Sequence, residues 1–140
     1  MITIQTARAN LGQTGLSVSP LCFGSTSLAS MPGTYGYEVS TEDALATVRA
    51  IFDGPVNFLD TSRIYGLGRS EELIGEVIRE RGGLPEGFVL STKLDRDPQT
   101  NRFDGAQARR SFDAISAWKM RPGDSRPCHL PARLGPLTIP

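Results

Sequence analysis

The sequence predicts an α/β protein built around a parallel β-sheet, and three observations support this fold class. First, three segments are almost continuously apolar before a polar end, as strands covered on both faces are. Second, these segments end at regular intervals of 36 and 33 residues, which is the length of a strand–helix–strand unit. Third, the residues between them have the three- and four-residue apolar spacing of amphipathic helices.

The predicted strands are PLCFG (20–24), VNFLD (56–60) and FVLSTK (88–93), which end at Gly24, Asp60 and Lys93. Ahead of them, LGQTGLSV (11–18) is typical of a β-hairpin with GQTG as its turn. We therefore expect one hairpin followed by three parallel strands, whose carboxyl ends lie at the same edge of the sheet.

Two amphipathic helices are predicted between the strands. The first spans residues 40–54, with Ser40 or Thr41 as its N-cap. The second spans residues 69–83, with Ser70 as its N-cap and acidic residues in the first turn, where they favour the positive end of the helix dipole. Glycines end both helices (Gly54; Gly82 and Gly83), and the apolar stripes are Leu45, Val48, Ile51 and Phe52 in the first and Leu73, Ile74, Val77 and Ile78 in the second.

The chain changes character near residue 113. Residues 106–118 can still form a third helix, whereas residues 119–140 contain five of the ten prolines. Proline at this density is incompatible with helices and with sheet ladders. We therefore expect one folded domain over residues 1–118 and a disordered tail over residues 119–140.

The composition excludes several functional classes. Fifteen basic residues balance fifteen acidic ones, so the charge favours neither nucleic acid nor an anionic membrane as partner. No apolar run approaches the roughly 18 residues of a membrane span, and the N-terminus lacks the pattern of a secretory signal. Cys22 and Cys128 lie 106 positions apart and, with the single His129, supply too few ligands for zinc. We expect no metal and a reduced, cytoplasmic protein.

Two opposite charges close neighbouring strands of the predicted sheet. Asp60 ends the second strand and Lys93 ends the third, and ligands of α/β folds bind at such carboxyl ends. Since neighbouring strands are about 4.8 Å apart, the two charges are expected within about 5–10 Å of each other. The alternative interpretation is a structural salt bridge at the end of the sheet.

A tyrosine in the following loop adds proton chemistry. Tyr65 lies five residues after Asp60, so its hydroxyl can turn back over the strand ends. An ammonium stabilises a phenolate, and a carboxylate keeps a lysine charged and oriented. Asp60, Lys93 and Tyr65 together therefore predict a proton donor for a carbonyl group, although a loop tyrosine on its own more often serves packing.

Two glycine-containing segments are weaker indications of a ligand-binding site. The segment GLGRSE (66–71) lacks the third glycine of a dinucleotide-binding fingerprint and follows a loop rather than a strand, so its glycines are expected to serve the turn into the helix. The small residues of FGSTS (23–27) suit the close approach of a ligand at a strand end, and a simple loop explains them nearly as well.

Together, GLSVSPLCFGSTSL, NFLDTSRIYGLGRSEELIGEVI and FVLSTKL resemble the first three βα units of the aldo-keto reductase superfamily. The most specific match is D-T-x-x-x-Y-G followed by S-E-x-x-I-G, and the resemblance runs from about Leu11 to about Ala114. It implies an α/β fold that is a partial (β/α)8 TIM barrel, with about three βα units, an N-terminal hairpin and the disordered tail.

The resemblance also implies an NAD(P)-dependent oxidoreductase that interconverts a carbonyl or aldose and an alcohol. Tyr65 would be the general acid/base, tuned by Asp60 and Lys93. The cofactor, NADP or NAD, would lie with its nicotinamide beside Gly24, Ser25, Thr26 and Asp60. The Y-G-L-G-R-S-E form is most similar to the branch that acts on small sugars such as fucose, galactose or arabinose, or on pyridoxal.

The resemblance stops before the family's fourth strand and its histidine, for which His129 in the proline-rich tail is a poor substitute. A barrel of this type takes roughly 250 residues, so we expect the chain to derive from a family gene cut short. Its open sheet edges favour self-association. Two alternatives therefore stay open: a catalytically silent fragment completed by another chain, and a small α/β binding protein.

Overall fold

A computed structural model of the chain describes residues 7–94, 96, 97 and 99–102. The predicted third helix (106–118), the predicted tail (119–140) and, within that tail, Cys128 and His129 lie outside the described residues. In the described part, a two-stranded hairpin precedes a three-stranded parallel sheet, and helices connect the strands of that sheet. No helix among the described residues is long and apolar enough to cross a bilayer.

The predicted hairpin is present at the start of the described chain. Strands β1 (Ala9–Asn10) and β2 (Ser17–Val18) pair in an antiparallel manner, with Ala9 opposite Val18. Six residues connect the two strands, and the Thr14 hydroxyl closes this loop by donating to the Leu11 carbonyl oxygen at 2.6 Å.

Asn57 attaches the hairpin to the sheet. It is buried just before the second strand of the sheet, and its amide nitrogen donates to the carbonyl oxygens of Ser17 (3.0 Å) and Gly87 (2.6 Å). Its side-chain oxygen accepts from the backbone N–H of Ser19 at 2.7 Å, and the Ser19 hydroxyl accepts from the backbone N–H of Asn57 at 3.3 Å. One side chain therefore links three chain segments at the end of the sheet opposite the predicted site.

The predicted parallel sheet is confirmed. Strands β3 (Phe23–Gly24), β4 (Phe58–Asp60) and β5 (Val89–Ser91) lie in the order β3-β4-β5, with Gly24 beside Asp60 and Asp60 beside Ser91. Each strand is shorter than predicted, because a ladder requires a neighbouring strand in register and not only apolar side chains. Lys93 consequently lies two residues beyond β5 rather than at its end.

The first connection contains a short helix that the sequence analysis did not predict and a long one that it did. Helix α1 (Pro32–Tyr35) is a single turn with proline at its first position, where the missing N–H costs nothing. Helix α2 (Thr41–Asp53) has Ser40 as its N-cap, since the Ser40 hydroxyl oxygen accepts from the Asp43 backbone N–H at 3.0 Å. The helix ends at Gly54 as predicted, but with extended rather than left-handed backbone there.

Helix α3 (Arg69–Glu80) begins differently from the prediction. Ser70 is not its N-cap: Gly68 holds that position with a φ of 104°, and Ser70 is fully buried in the first turn. The reason is that a tight turn delivers the chain into the helix before Ser70 is reached. At its other end, Gly82 and Gly83 follow the helix with positive φ, as predicted.

Both helices pack their apolar stripes against the side of the sheet that carries Leu59. The core comprises Leu28, Ala44, Val48, Ile51, Phe52, Leu59, Leu73, Ile74, Val77 and Ile78, and the predicted Leu45 packs against it half-buried. Burial of a large aliphatic side chain contributes about 1.5–3 kcal/mol, so this layer holds the strand ends in place from one side.

The turn between β4 and α3 carries Tyr65. Residues Gly66, Leu67 and Gly68 all have positive φ, of 63°, 55° and 104°, although Leu67 is not glycine and is 82% exposed. A Cβ atom on Gly66 would lie 2.7 Å from the Cβ of Ala29, in the turn that follows β3. The absence of a side chain at Gly66 therefore allows the two loops to touch and determines where Tyr65 lies.

Replacing Asn57 with alanine is expected to destabilise the full chain by about 3 kcal/mol or more. The substitution removes the partner of the buried Ser19 N–H and of the partly buried carbonyl oxygens of Ser17 and Gly87, and a buried polar group without a partner costs about 1–3 kcal/mol. Chemical denaturation measures the loss. Asn10→Ala, an exposed asparagine in the same hairpin, is the control and is expected to change stability by less than about 0.5 kcal/mol; equal losses would contradict the linking role of Asn57.

Gly66→Ala is expected to lower the unfolding free energy more than Gly12→Ala. Both glycines have similar positive φ, 63° and 55°, and so share the left-handed strain of about 1–2 kcal/mol for an L-residue. At Gly12 no atom lies within 4 Å of the added Cβ, whereas at Gly66 Ala29 lies in contact. Urea unfolding of the two variants compares them directly, and equal losses would show that the contact with Ala29 does not constrain the turn.

Candidate active site

Lys93 brings the three predicted site residues together. Its ammonium nitrogen lies 2.6 Å from Asp60 Oδ2, 3.0 Å from the Thr61 carbonyl oxygen and 3.1 Å from the Tyr65 hydroxyl oxygen. An ammonium group has three N–H donors and no acceptor, so these three contacts use its full donor capacity. The expected distance of about 5–10 Å between the charges was too long, because the lysine side chain reaches back over the strand end.

The charge state of Lys93 follows from these contacts. Partial burial acts to lower the pKa of Lys93, but its hydrogen bonds to Asp60 and Tyr65 outweigh burial and raise the pKa above the ordinary lysine value. The lysine is therefore an ammonium throughout the physiological pH range. Its nitrogen also lies 4.9 Å from the centre of the Tyr65 ring, within the range of a cation–π contact.

This geometry leaves the phenol able to act as a proton donor. Because the charged lysine must donate to Tyr65, the phenol oxygen accepts that hydrogen bond and its own proton is directed elsewhere. A phenolate formed by loss of that proton would lie next to the ammonium, which stabilises it. The alternative of a purely structural salt bridge accounts for the Lys93–Asp60 pair but gives no reason for Tyr65 to join it.

The Asp60 carboxylate is oriented by the neighbouring strands. Its Oδ1 accepts from the Ser91 hydroxyl at 3.2 Å, while Oδ2 accepts from Lys93. On the other side, partial burial and the Asp60 charge together raise the pKa of the Cys22 thiol, with smaller opposing effects from the Asp60 backbone and Lys93. Cys22 is a free, exposed cysteine and stays protonated at neutral pH.

A buried group of hydroxyls ties the strand ends to helix α3. The Ser70 hydroxyl lies 2.8 Å from Ser25 Oγ, 3.1 Å from the Ser25 carbonyl oxygen and 3.1 Å from Thr61 Oγ1. Ser25, Thr61 and Ser70 are all buried. The backbone N–H of Ser25 also donates to the Asp60 carbonyl oxygen at 3.0 Å. The serine predicted as a helix cap therefore fixes β3 and β4 relative to α3.

The predicted cofactor-binding residues occupy two environments. Gly24 is exposed at the end of β3 beside Asp60, with no atom within 4 Å of the place where a Cβ would be. Thr26 is half-buried in the turn that follows. The space where a side chain of residue 24 would lie is therefore open. Ser25, in contrast, is fully buried, its side chain contacts the Ser70 hydroxyl, and its backbone N–H and carbonyl oxygen are already hydrogen-bonded within the protein. The prediction that Ser25 contacts a cofactor is therefore wrong for this structure, because the residue is enclosed between the strand ends and α3.

Several residues that shape the site were missed by the sequence analysis. Ser91 and Thr92 stand directly before Lys93, and alternation of side chains along an extended chain indicates that Ser91 and Lys93 face the same way. The sequence therefore contained the information that places Ser91 beside Lys93. It did not indicate the roles of the Thr61 carbonyl and the buried Glu71, because these roles depend on which segments pack beside them. No group of three or more potential metal ligands occurs among the described residues.

The chain has clear relatives. The model of the Aldo/keto reductase family matches residues 20–117. The chain is 38% identical over 85 residues to a probable voltage-gated potassium channel subunit beta from Arabidopsis thaliana, covering 61% of this chain and 24% of the relative. It is 36% identical over 103 residues to L-galactose dehydrogenase from Arabidopsis thaliana, covering 74% of this chain and 31% of the relative.

A solved aldo-keto reductase structure from Pseudomonas aeruginosa superimposes with a TM-score of 0.65 and 30% identity, over 83% of this chain and 44% of that one. The chain thus spans about a quarter to a third of the length of the two curated relatives. The predicted fold class, an α/β chain corresponding to part of a (β/α)8 barrel, is confirmed, and the described strands form an open sheet rather than a closed barrel. The chain belongs to the aldo/keto reductase family.

Proposed function

We propose that this chain carries the proton-transfer part of an NAD(P)-dependent oxidoreductase that interconverts a carbonyl compound and an alcohol. The observation that supports this proposal most directly is the Lys93 ammonium, which contacts both Asp60 and the Tyr65 hydroxyl. Family membership supports the reaction class. The described residues include no other cluster that joins a carboxylate, an ammonium and a phenol.

In the proposed reduction, Tyr65 gives its proton to the substrate carbonyl oxygen and Lys93 stabilises the phenolate that remains. Asp60 keeps the lysine charged and in place. When bound, the nicotinamide supplies the hydride that the carbonyl carbon receives, so that one hydride and one proton convert the carbonyl to an alcohol. Tyr65 is half-buried and regains its proton from water. In the reverse direction, the phenolate removes the proton from the alcohol oxygen.

NADP or NAD is the proposed cofactor. Gly24 and Thr26 are the residues of this chain proposed to hold the nicotinamide beside Asp60, supported by the open space at Gly24, while the buried Ser25 fixes the chain between them. The proposed substrate is a small carbonyl compound or sugar, supported by the similarity to L-galactose dehydrogenase. A cytoplasmic location is part of the proposal, since the two widely separated cysteines do not suggest a disulfide framework.

A second candidate is a catalytically silent chain that pairs with another chain to complete the barrel. It is supported by edge strand β3, in which Phe23 is 40% exposed, and by Leu21, which lies two residues before Phe23 and is 67% exposed. Large apolar side chains beside an edge strand favour association.

Tyr65→Phe is expected to lower turnover by about 10²–10⁴-fold, the usual contribution of a general acid, while leaving the fold and cofactor binding unchanged. Thermal shift with NADPH and NADH measures binding, and absorbance at the nicotinamide band follows reduction of glyceraldehyde and oxidation of L-galactose. Tyr35→Phe, an exposed tyrosine in α1, is the matched control. Retained turnover in Tyr65→Phe would remove Tyr65 from its role; absence of cofactor binding and turnover in the unmodified chain would contradict the enzyme proposal.

The second candidate predicts that the full chain associates with itself or fails to unfold cooperatively when purified alone. Light scattering after size exclusion, combined with urea unfolding, measures both properties. Leu21→Glu is expected to weaken the association because it places a charge at the edge of the sheet. Leu67→Glu, which changes a more exposed leucine in the turn after Tyr65, is the control. A cooperatively folded monomer would exclude this candidate.

A further inference from the structure

Lys93 needs support from outside the strand that precedes it. Strand β5 ends at Ser91, and the last strand-like hydrogen bond at this point runs from the Thr61 backbone N–H to the Ser91 carbonyl oxygen at 2.9 Å. The Lys93 side chain is 45% exposed. A lysine side chain loses conformational entropy when it is held in one conformation, so its position benefits from neighbouring residues that restrict the backbone.

Thr92 supplies such a restriction. Its hydroxyl donates to Glu71 Oε1 at 2.7 Å, and Glu71 is only 3% exposed in the first turn of α3. The hydrogen bond thus joins the residue before Lys93 to the interior of the protein. Hydrogen bonds to ionised groups are shorter and stronger than those between neutral groups.

The orientation of Thr92 determines the orientation of Lys93. Successive side chains of an extended segment point to opposite faces. Thr92 points toward α3, on the same side as the core around Leu59. Lys93 must then point to the other face, where Ser91 and Asp60 meet.

We propose, on the basis of the proposed function, that Glu71 and Thr92 are positioning residues that hold the Lys93 ammonium against Tyr65. Glu71 suits this task because the positive end of a twelve-residue helix stabilises a carboxylate in its first turn. The Glu71 carboxylate accepts from Thr92 and in this way restricts the backbone that carries Lys93. Loss of the Thr92 hydroxyl frees residues 92 and 93 to rotate together.

The test uses the charge of Lys93 as its readout. The chain contains two lysines, Lys93 and Lys119, so selective labelling of the lysine ε-carbon gives two NMR signals that a Lys93→Arg variant assigns. The titratable groups that raise the pKa of Lys93 are Asp60 and Tyr65, and the Cys22 thiol also interacts with the Lys93 charge. In the full chain without cofactor or substrate, Thr92→Val is expected to lower the pKa of Lys93 toward its ordinary value, because both hydrogen bonds that raise it weaken.

Thr92→Ser keeps the hydroxyl and is expected to leave the pKa of Lys93 as in the unmodified chain. Thr47→Val, which removes a threonine hydroxyl bonded to the Asp43 carbonyl oxygen on the surface of α2, is the control for general effects. An unchanged Lys93 pKa in Thr92→Val would overturn the proposal. An equal decrease in Thr92→Val and Thr92→Ser would overturn it too, since packing rather than the hydrogen bond would then be responsible.

Thr92→Val leaves the Glu71 carboxylate without this partner and could prevent folding. The double variant Glu71→Met/Thr92→Val removes both partners of this hydrogen bond, which costs less than leaving one of the two unpaired. Its Lys93 pKa is expected to decrease as in Thr92→Val, and an unchanged value would overturn the proposal in the same way.

Measurements of turnover distinguish a failure of this proposal from a failure of the proposed function. In an active chain, Thr92→Val is expected to lower kcat by about tenfold to a hundredfold, the effect of a small misplacement of a reacting group, with cofactor KM unchanged. An inactive chain with the expected Lys93 titrations contradicts the enzyme and supports the positioning. An active chain in which the Lys93 pKa of Thr92→Val is unchanged contradicts only the positioning.

Discussion

The site depends on one ammonium group whose three protons all have acceptors. Asp60 at the end of β4, the Thr61 carbonyl oxygen and the Tyr65 hydroxyl surround Lys93 Nζ at 2.6–3.1 Å. These acceptors belong to one strand end and the loop after it, while the lysine lies two residues beyond the next strand along the chain. They meet because parallel strands place their carboxyl ends at the same edge of the sheet, and because β4 and β5 are neighbours in register.

A second set of hydrogen-bonded polar groups joins the strand ends to the buried first turn of α3. Ser70 bonds to both Ser25 and Thr61, and Thr92 bonds to Glu71. Buried polar groups are costly unless they are hydrogen-bonded. Because these groups are hydrogen-bonded across the two elements, directional contacts hold the strand ends against the first turn of α3. Apolar packing alone would leave their relative position less defined.

The two ends of the sheet serve different purposes. At the amino end, Asn57 links the hairpin, the start of β4 and the segment before β5, and these hydrogen bonds stabilise the fold. At the carboxyl end, the charged and hydroxyl side chains gather, together with a turn in which Gly66, Leu67 and Gly68 have positive φ. The separation of stability from chemistry at opposite ends is characteristic of parallel α/β barrels, and the similarity to solved aldo-keto reductases agrees with it.

The sequence by itself determined the order of strands and helices, the apolar stripes of α2 and α3, and the meeting of Asp60, Tyr65 and Lys93, because apolar period and strand spacing are local properties of the chain. Only the tertiary structure decided that Ser70 bonds to Ser25 instead of capping α3, that Glu71 is buried beside Thr92, and that Lys93 reaches back from beyond β5. A polar side chain can satisfy its hydrogen bonds with local backbone, with water or with a distant segment. Which of these it does depends on what packs beside it, and that neighbour is chosen by the fold as a whole.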